Sequence, residues 1–176
     1  MVLTTSDKTA DRLKENEMKV LILFGSPSDK ETMKKAKDIL DEFGVINESY
    51  AISAHRSPEL LEEILKQKEE DGFEVIIAGA GLAAHLPGVI ASQTLLPVIG
   101  VPLKGALEGL DALLSIVQMP KQIPVATVGI NNAFNAGMLA VEILSIKYPE
   151  LKERLKKYRM EMKESLRKEN STEVIY

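Results

Sequence analysis

The chain contains no cysteine, and that one absence removes a disulfide framework, a thiolate zinc site, an iron-sulfur cluster and a cysteine nucleophile together. Histidine is almost as scarce. Only His55 and His85 occur, too few for a histidine-rich metal cage. Positive charge is not in excess: a formal net charge of -4 gives no general attraction to phosphate backbones or anionic membranes, so neither nucleic acid nor a membrane is an expected partner. Met1 to Met18 mixes acidic and basic side chains and lacks the apolar core of a signal peptide, which makes the cytoplasm the expected compartment. From Val75 to Leu103 there is no Asp, Glu, Lys or Arg. Gly79, Gly81, Pro87, Gly88, Pro97, Gly100 and Pro102 interrupt that stretch at turn-like intervals, so it reads as buried strands and a short helix, not as a membrane span. A GxxxxGK[ST] phosphate loop and a GxSxG nucleophile elbow are both missing, which removes the usual cradle for ATP and the usual frame for a serine hydrolase.

What is present is a chain of 176 residues, 45% hydrophobic and 27% charged, as expected for one globular unit with a real core. The apolar run Lys19 to Phe24 ends at Gly25-Ser26-Pro27-Ser28-Asp29 and reads as a buried strand entering a turn. Ser28 and Glu31 have capping-box spacing, and Met33, Ala36, Leu40 and Phe43 recur at helical intervals until Gly44. The unit repeats. Further strands are expected at Glu48 to Ile52, Val75 to Ala78, Val98 to Val101 and Val125 to Val128, with helices after each, near Pro58, Leu86 to Gln93, Gly109 to Gln118 and Asn132 to Leu144. Strands alternating with helices, joined by connections too long for hairpins, predict an α/β fold: a three-layer α/β/α sandwich around a five-stranded parallel sheet. Residues 1–18 read as an N-terminal extension, 19–146 as the main α/β domain, and 147–176 as a C-terminal amphipathic helix and tail. Between Val75 and Val141 the only charged residues are Lys104, Glu108, Asp111 and Lys121, so a homo-oligomer covering this region is expected, with the small residues Ala136 and Gly137 permitting close approach of a neighbouring subunit.

Open parallel sheets bind ligands beyond the carboxyl ends of their strands. The first such loop supplies Gly25, Ser26, Ser28 and Asp29, the second Ser53, Ala54, His55 and Arg56, and the third Gly79, Ala80, Gly81, Ala83, Ala84 and His85. Hydroxyls, one arginine and free backbone N–H groups at helix starts suit a phosphate monoester, and Asp29 suits sugar hydroxyls. A histidine beside them offers a proton carrier near neutral pH. Each residue also has a plainer reading: Ser28 as a helix cap, Arg56 as half of a surface ion pair, His55 as a satisfied loop histidine. Gly79 to Ala84 fits the GxGxxA dinucleotide pattern, but it follows the third strand and lacks the acidic residue that would hold a ribose.

Taken together, GSPSD at 25–29, SAHR at 53–56, GAGLAAHLPG at 79–88, GLDALLSIVQMP at 109–120 and PVATVGINNAFNAG at 124–137 resemble the class I N5-carboxyaminoimidazole ribonucleotide mutases of purine biosynthesis, the catalytic subunit of phosphoribosylaminoimidazole carboxylase. The resemblance spans roughly Lys19 to Glu164. It implies a flavodoxin-like sandwich, a homo-octamer, no cofactor and no metal, and an ATP-independent shift of a carboxylate from the exocyclic nitrogen to C4 of a phosphorylated aminoimidazole ribotide. By matching motifs it places Ser26, Ser53 and Arg56 on the phosphate, Asp29 on the ribose and His55 at the proton transfer. Ser28, Ala54, Gly79, Ala80, Gly81, Leu82, Ala83, His85 and Leu86 complete the implied substrate pocket. Lys30 stands where many relatives carry an aromatic residue, Leu82 replaces a frequent glycine, and the segment 101–107 is one residue shorter than in many members. Two alternatives share these motifs: a carboxylase that uses carbon dioxide and the aminoimidazole ribotide directly, and a non-catalytic ribotide-binding subunit.

Overall fold

The computed structural model describes residues 17–170, so the expected extension lies outside the described residues apart from its last two. Five strands, β1 (Lys19–Phe24), β2 (Ile46–Ala51), β3 (Val75–Gly81), β4 (Val98–Leu103) and β5 (Ala126–Thr127), form one all-parallel sheet in the order β2-β1-β3-β4-β5. The fold is the expected three-layer, flavodoxin-like sandwich. The order places β3, whose first six residues are all buried, at the centre, and leaves the polar β2 and the two-residue β5 at the edges.

Strand alternation divides the core in two. Val20, Ile22 and Phe24 of β1 point to one face, where α1 (Lys30–Glu42), α5 (Ala133–Leu144) and the start of α6 (Pro149–Asn170) cover them with Met33, Ile39, Leu40, Ala136, Val141, Leu151 and Leu155. Leu21 and Leu23 point to the other face, under α2 (Pro58–Glu70), α3 (Leu86–Ala91) and α4 (Leu110–Val117), against Leu61, Leu65, Ile90, Ala112 and Ile116. The C-terminal helix is tied to the first core: Arg154 Nη1 donates to the Phe43 carbonyl at 2.8 Å, and the Phe43 and Tyr158 rings lie 5.2 Å apart.

Two local expectations are corrected. The helix cap falls at Ser26, not Ser28: Pro27–Asp29 forms a single 3-10 turn, and the Ser26 hydroxyl accepts from the Ser28 N–H at 3.3 Å before α1 begins at Lys30. The small residues Ala136 and Gly137, which invite a neighbouring subunit on sequence grounds, are buried inside this chain. A Cβ added at Gly137 would overlap Ile39 Cγ2 and stand 2.9 Å from the Ala36 carbonyl oxygen, so the close approach is between α5 and α1.

Candidate active site

The sheet order brings the loops after β1, β2, β3 and β4 side by side at the carboxyl edge, where they enclose a cleft of about 430 Å³. That is within the range of small-molecule sites. One wall is the β1 turn with Gly25, Ser26, Ser28 and Asp29; the second is Ser53, Ala54 and His55; the third runs from Ala80 to Leu86; the fourth is Leu103, Lys104 and Gly105.

The first wall is organised by its own hydroxyls. Ser26 Oγ accepts from Ser28 Oγ at 2.9 Å, and the Asp29 N–H donates to the Ser26 carbonyl at 3.0 Å, which turns the chain sharply and holds Asp29 at the cleft. Burial pushes the Asp29 carboxyl above its ordinary range, and hydrogen bonds from Ser26 and Ser28 partly offset that rise. In the second wall the chain turns at once after β2, with the Arg56 and Ser57 N–H groups both donating to the Ser53 carbonyl, at 3.2 and 2.9 Å. His55 is left exposed at the tip of this turn.

The third wall carries backbone strain. Leu82 holds φ 57° and is 58% exposed, a left-handed conformation that costs a branched residue about 1–2 kcal/mol. The tight bends that follow, with the Ala84 and His85 N–H groups donating two residues back, swing His85 towards the second wall. The two histidines of the chain, thirty positions apart, meet there: His55 Nε2 and His85 Nδ1 lie 2.8 Å apart with their rings edge to face at 82°. One ring must donate and the other accept, so the pair shares a proton across the cleft wall.

Twelve of the expected site residues line this cleft: Ser26, Ser28, Asp29, Ser53, Ala54, His55, Ala80, Gly81, Leu82, Ala83, His85 and Leu86. Gly79 and Arg56 are not among the lining residues. Gly79 lies buried below the floor, where a Cβ would come within 2.9 Å of Met33 Cε, so its smallness serves the packing of α1 on β3. Arg56 is exposed just outside the rim. The fourth wall, in the shortened segment 101–107, supplies none of the site residues expected from the sequence. Lys104 is the first charged residue after the long uncharged run that begins at Val75, and it follows a strand that obeys the same carboxyl-end rule as the other three. Its N–H donates to Asn131 Oδ1 at 2.8 Å, while the Asn131 N–H donates to the Pro102 carbonyl at 2.8 Å. Among the described residues no group of three His, Asp or Glu converges in a way that could hold a metal ion, and no helix is long and apolar enough to cross a membrane.

Comparison with known proteins agrees with this architecture. The model of the AIR carboxylase family matches residues 19–165. An N5-carboxyaminoimidazole ribonucleotide mutase of Pyrococcus abyssi is 64% identical over 146 residues, covering 82% of this chain and 84% of that protein. One from Thermotoga maritima is 59% identical, covering 82% and 85%. The crystal structure of Treponema denticola PurE superposes with a TM-score of 0.82 at 28% identity, covering 88% of this chain and 98% of that one. The chain belongs to the AIR carboxylase family.

Proposed function

From that membership and from the histidine pair set in a hydroxyl-lined cleft, we infer that this protein is an ATP-independent N5-carboxyaminoimidazole ribonucleotide mutase of purine biosynthesis. The observation that carries the chemistry is the 2.8 Å contact between His55 and His85. The reaction breaks the bond between the exocyclic nitrogen and its carboxyl carbon, and that nitrogen takes up a proton as carbon dioxide leaves. C4 of the imidazole then attacks the carbon dioxide, and the C4 proton departs. One proton is therefore lent and recovered in each turnover, which a shared imidazole proton beside the ring can supply. Retention of carbon dioxide in a closed cleft makes its recapture effectively unimolecular.

In this reading Ser26, Ser53 and Arg56 hold the phosphate, Asp29 accepts from the ribose hydroxyls, and the Ala80–His85 loop surrounds the imidazole and the migrating carboxyl group. Small side chains at Ala80, Gly81, Ala83 and Ala84 allow close approach. Arg56 reaches the phosphate from the rim, because its exposed side chain is free to turn inward. A homo-octamer in the cytoplasm completes the proposal. Its support is the apolar side chains on α4 and the preceding loop, where Leu107, Leu110, Leu114 and Val117 are all exposed in the single chain.

The deciding experiment supplies purified protein, without ATP, either with the N5-carboxylated ribotide or with the uncarboxylated ribotide plus bicarbonate and dissolved carbon dioxide. Conversion of the first at low bicarbonate supports the mutase. Conversion of only the second assigns direct carboxylation, and no conversion of either leaves a ribotide-binding subunit.

A further inference from the structure

We propose that Lys104 is the residue that recognises the migrating carboxylate, giving the cleft two anion-binding ends; this rests on the ribotide reading above. Among the described residues lining the cleft, Lys104 is the only lysine or arginine. The four walls follow the sheet order, so the hydroxyls of Ser53 and Ser26, on the loops after β2 and β1, stand at one end, and Lys104, after β4, stands at the other. Strands are spaced about 4.8 Å apart, which puts roughly 14 Å between the outer two loops. A ribotide laid across that span with its phosphate on Ser26 and Ser53 points its base towards the β3 and β4 loops. The carboxyl group on the base is a second anion, and Lys104 is the cation that end contains.

The lysine is held for this task and is only loosely occupied. Its backbone is fixed by the Asn131 side chain, and Leu103 beside it pairs with Gly81 of the third wall, so the fourth wall is in register with the loop that surrounds the imidazole. The ammonium group forms an ion pair with Glu108, but both side chains are largely in water, at 54% and 80% exposure. Such a pair is weak and easily exchanged. A carboxylate seated between the cleft walls, where less water screens it than at the open surface, competes with it. Glu108 itself sits in left-handed backbone, between Leu107 and Gly109, which share that conformation. Glu108 thus serves as a stand-in anion that yields Lys104 to the substrate.

The test compares two ribotides that differ only by the carboxylate: aminoimidazole ribonucleotide and its 4-carboxylate, each titrated calorimetrically into the intact protein. Lys104→Gln should weaken binding of the 4-carboxylate by about tenfold or more and change binding of the uncarboxylated ribotide by less than about twofold. Lys104→Arg should restore most of the loss, and Glu108→Gln should tighten binding of the 4-carboxylate alone. Equal weakening of both ligands by Lys104→Gln would assign the lysine to the phosphate or to the fold, and unchanged binding of both would make it a bystander; either overturns the proposal. Turnover by the wild-type protein is measured alongside. Absence of turnover with a retained carboxylate preference refutes the mutase reading and leaves the Lys104 assignment standing, whereas absence of ribotide binding by the wild type refutes both.

Discussion

Replacing His55 by asparagine and His85 by asparagine should have very different consequences, although the two rings touch. His55 engages its partner through Nε2 and His85 through Nδ1. The amide of an asparagine occupies about the position of Nδ1, so His85→Asn keeps a hydrogen-bonding nitrogen where His55 needs one, whereas His55→Asn falls short of the Nε2 position and cannot carry a proton near neutral pH. General acid–base groups contribute about 10²- to 10⁴-fold to rate, so His55→Asn should lower kcat by that amount, about 3–5 kcal/mol of barrier. Loss of an orienting hydrogen bond is worth only about 1 kcal/mol, so His85→Leu should lower kcat roughly fivefold to tenfold and His85→Asn by less. The assay is steady-state turnover of the N5-carboxylated ribotide, with calorimetry on each variant to show that ribotide binding stays within about tenfold of the wild type. Near-normal turnover by His55→Asn refutes its role in proton transfer. A loss in His85→Leu as deep as that in His55→Asn moves the essential proton to His85.

Arg56→Ala should weaken binding of the phosphorylated ribotide by about 2 kcal/mol and that of the dephosphorylated riboside much less, since the guanidinium fork is invoked only for phosphate; equal losses for the two ligands in calorimetry would dismiss it. Asp29 titrates above its unfolded value of about 3.8, so the folded state holds that proton more tightly and the ionised carboxyl detracts from stability above its folded pKa. Asp29→Asn should therefore raise stability at pH 7, with the gain vanishing towards pH 3, while kcat/KM falls; denaturation across pH checks the sign. Gly137→Ala should destabilise the protein by about 2 kcal/mol, because overlap with Ile39 and the Ala36 carbonyl outweighs the roughly 1 kcal/mol gain in helix propensity. A Gly137→Ala protein as stable as the wild type in urea would refute the α1–α5 packing argument.

β1, β3 and β4 were legible because each is an apolar run with glycine or proline within it or just after it, and the parallel arrangement of the sheet followed from connections too long for hairpins. Three of the four cleft walls were legible for the same reason: a rule about strand ends needs no knowledge of which strands are neighbours. Pairings were not. That His55 and His85 share a proton depends on β2 and β3 flanking β1, and that Lys104 joins the same cleft depends on β4 lying next to β3; neither adjacency is written in any local pattern. Ser28 shows the limit within a single turn. Its spacing to Glu31 satisfies a capping box, but Pro27 favours an intervening 3-10 turn that moves the cap to Ser26. Gly137 shows the limit for small residues, since a helix with a small-residue stripe fits a neighbouring subunit and a neighbouring helix equally well until the fold chooses between them.

Where this chain departs from relaxed backbone is itself informative. Among the described residues five that are not glycine hold left-handed φ, and four of them, Leu82, Leu107, Glu108 and Asn131, lie in loops that leave the carboxyl ends of β3, β4 and β5. Asn131 is offset locally, because its side chain and its N–H both make hydrogen bonds to the chain around Lys104. Leu82, Leu107 and Glu108 have branched or long side chains that gain nothing from that conformation. Such residues persist only where the surrounding structure over-determines them, and they gather at sites that must be shaped before the ligand arrives. Leu82 illustrates the shaping: its side chain leans over Gly105, where an added Cβ would stand 3.3 Å from Leu82 Cδ2, so the third and fourth walls brace each other across the mouth of the cleft. Carbon dioxide carries no charge by which to be held, so a step that frees it depends on walls that do not open before C4 has attacked.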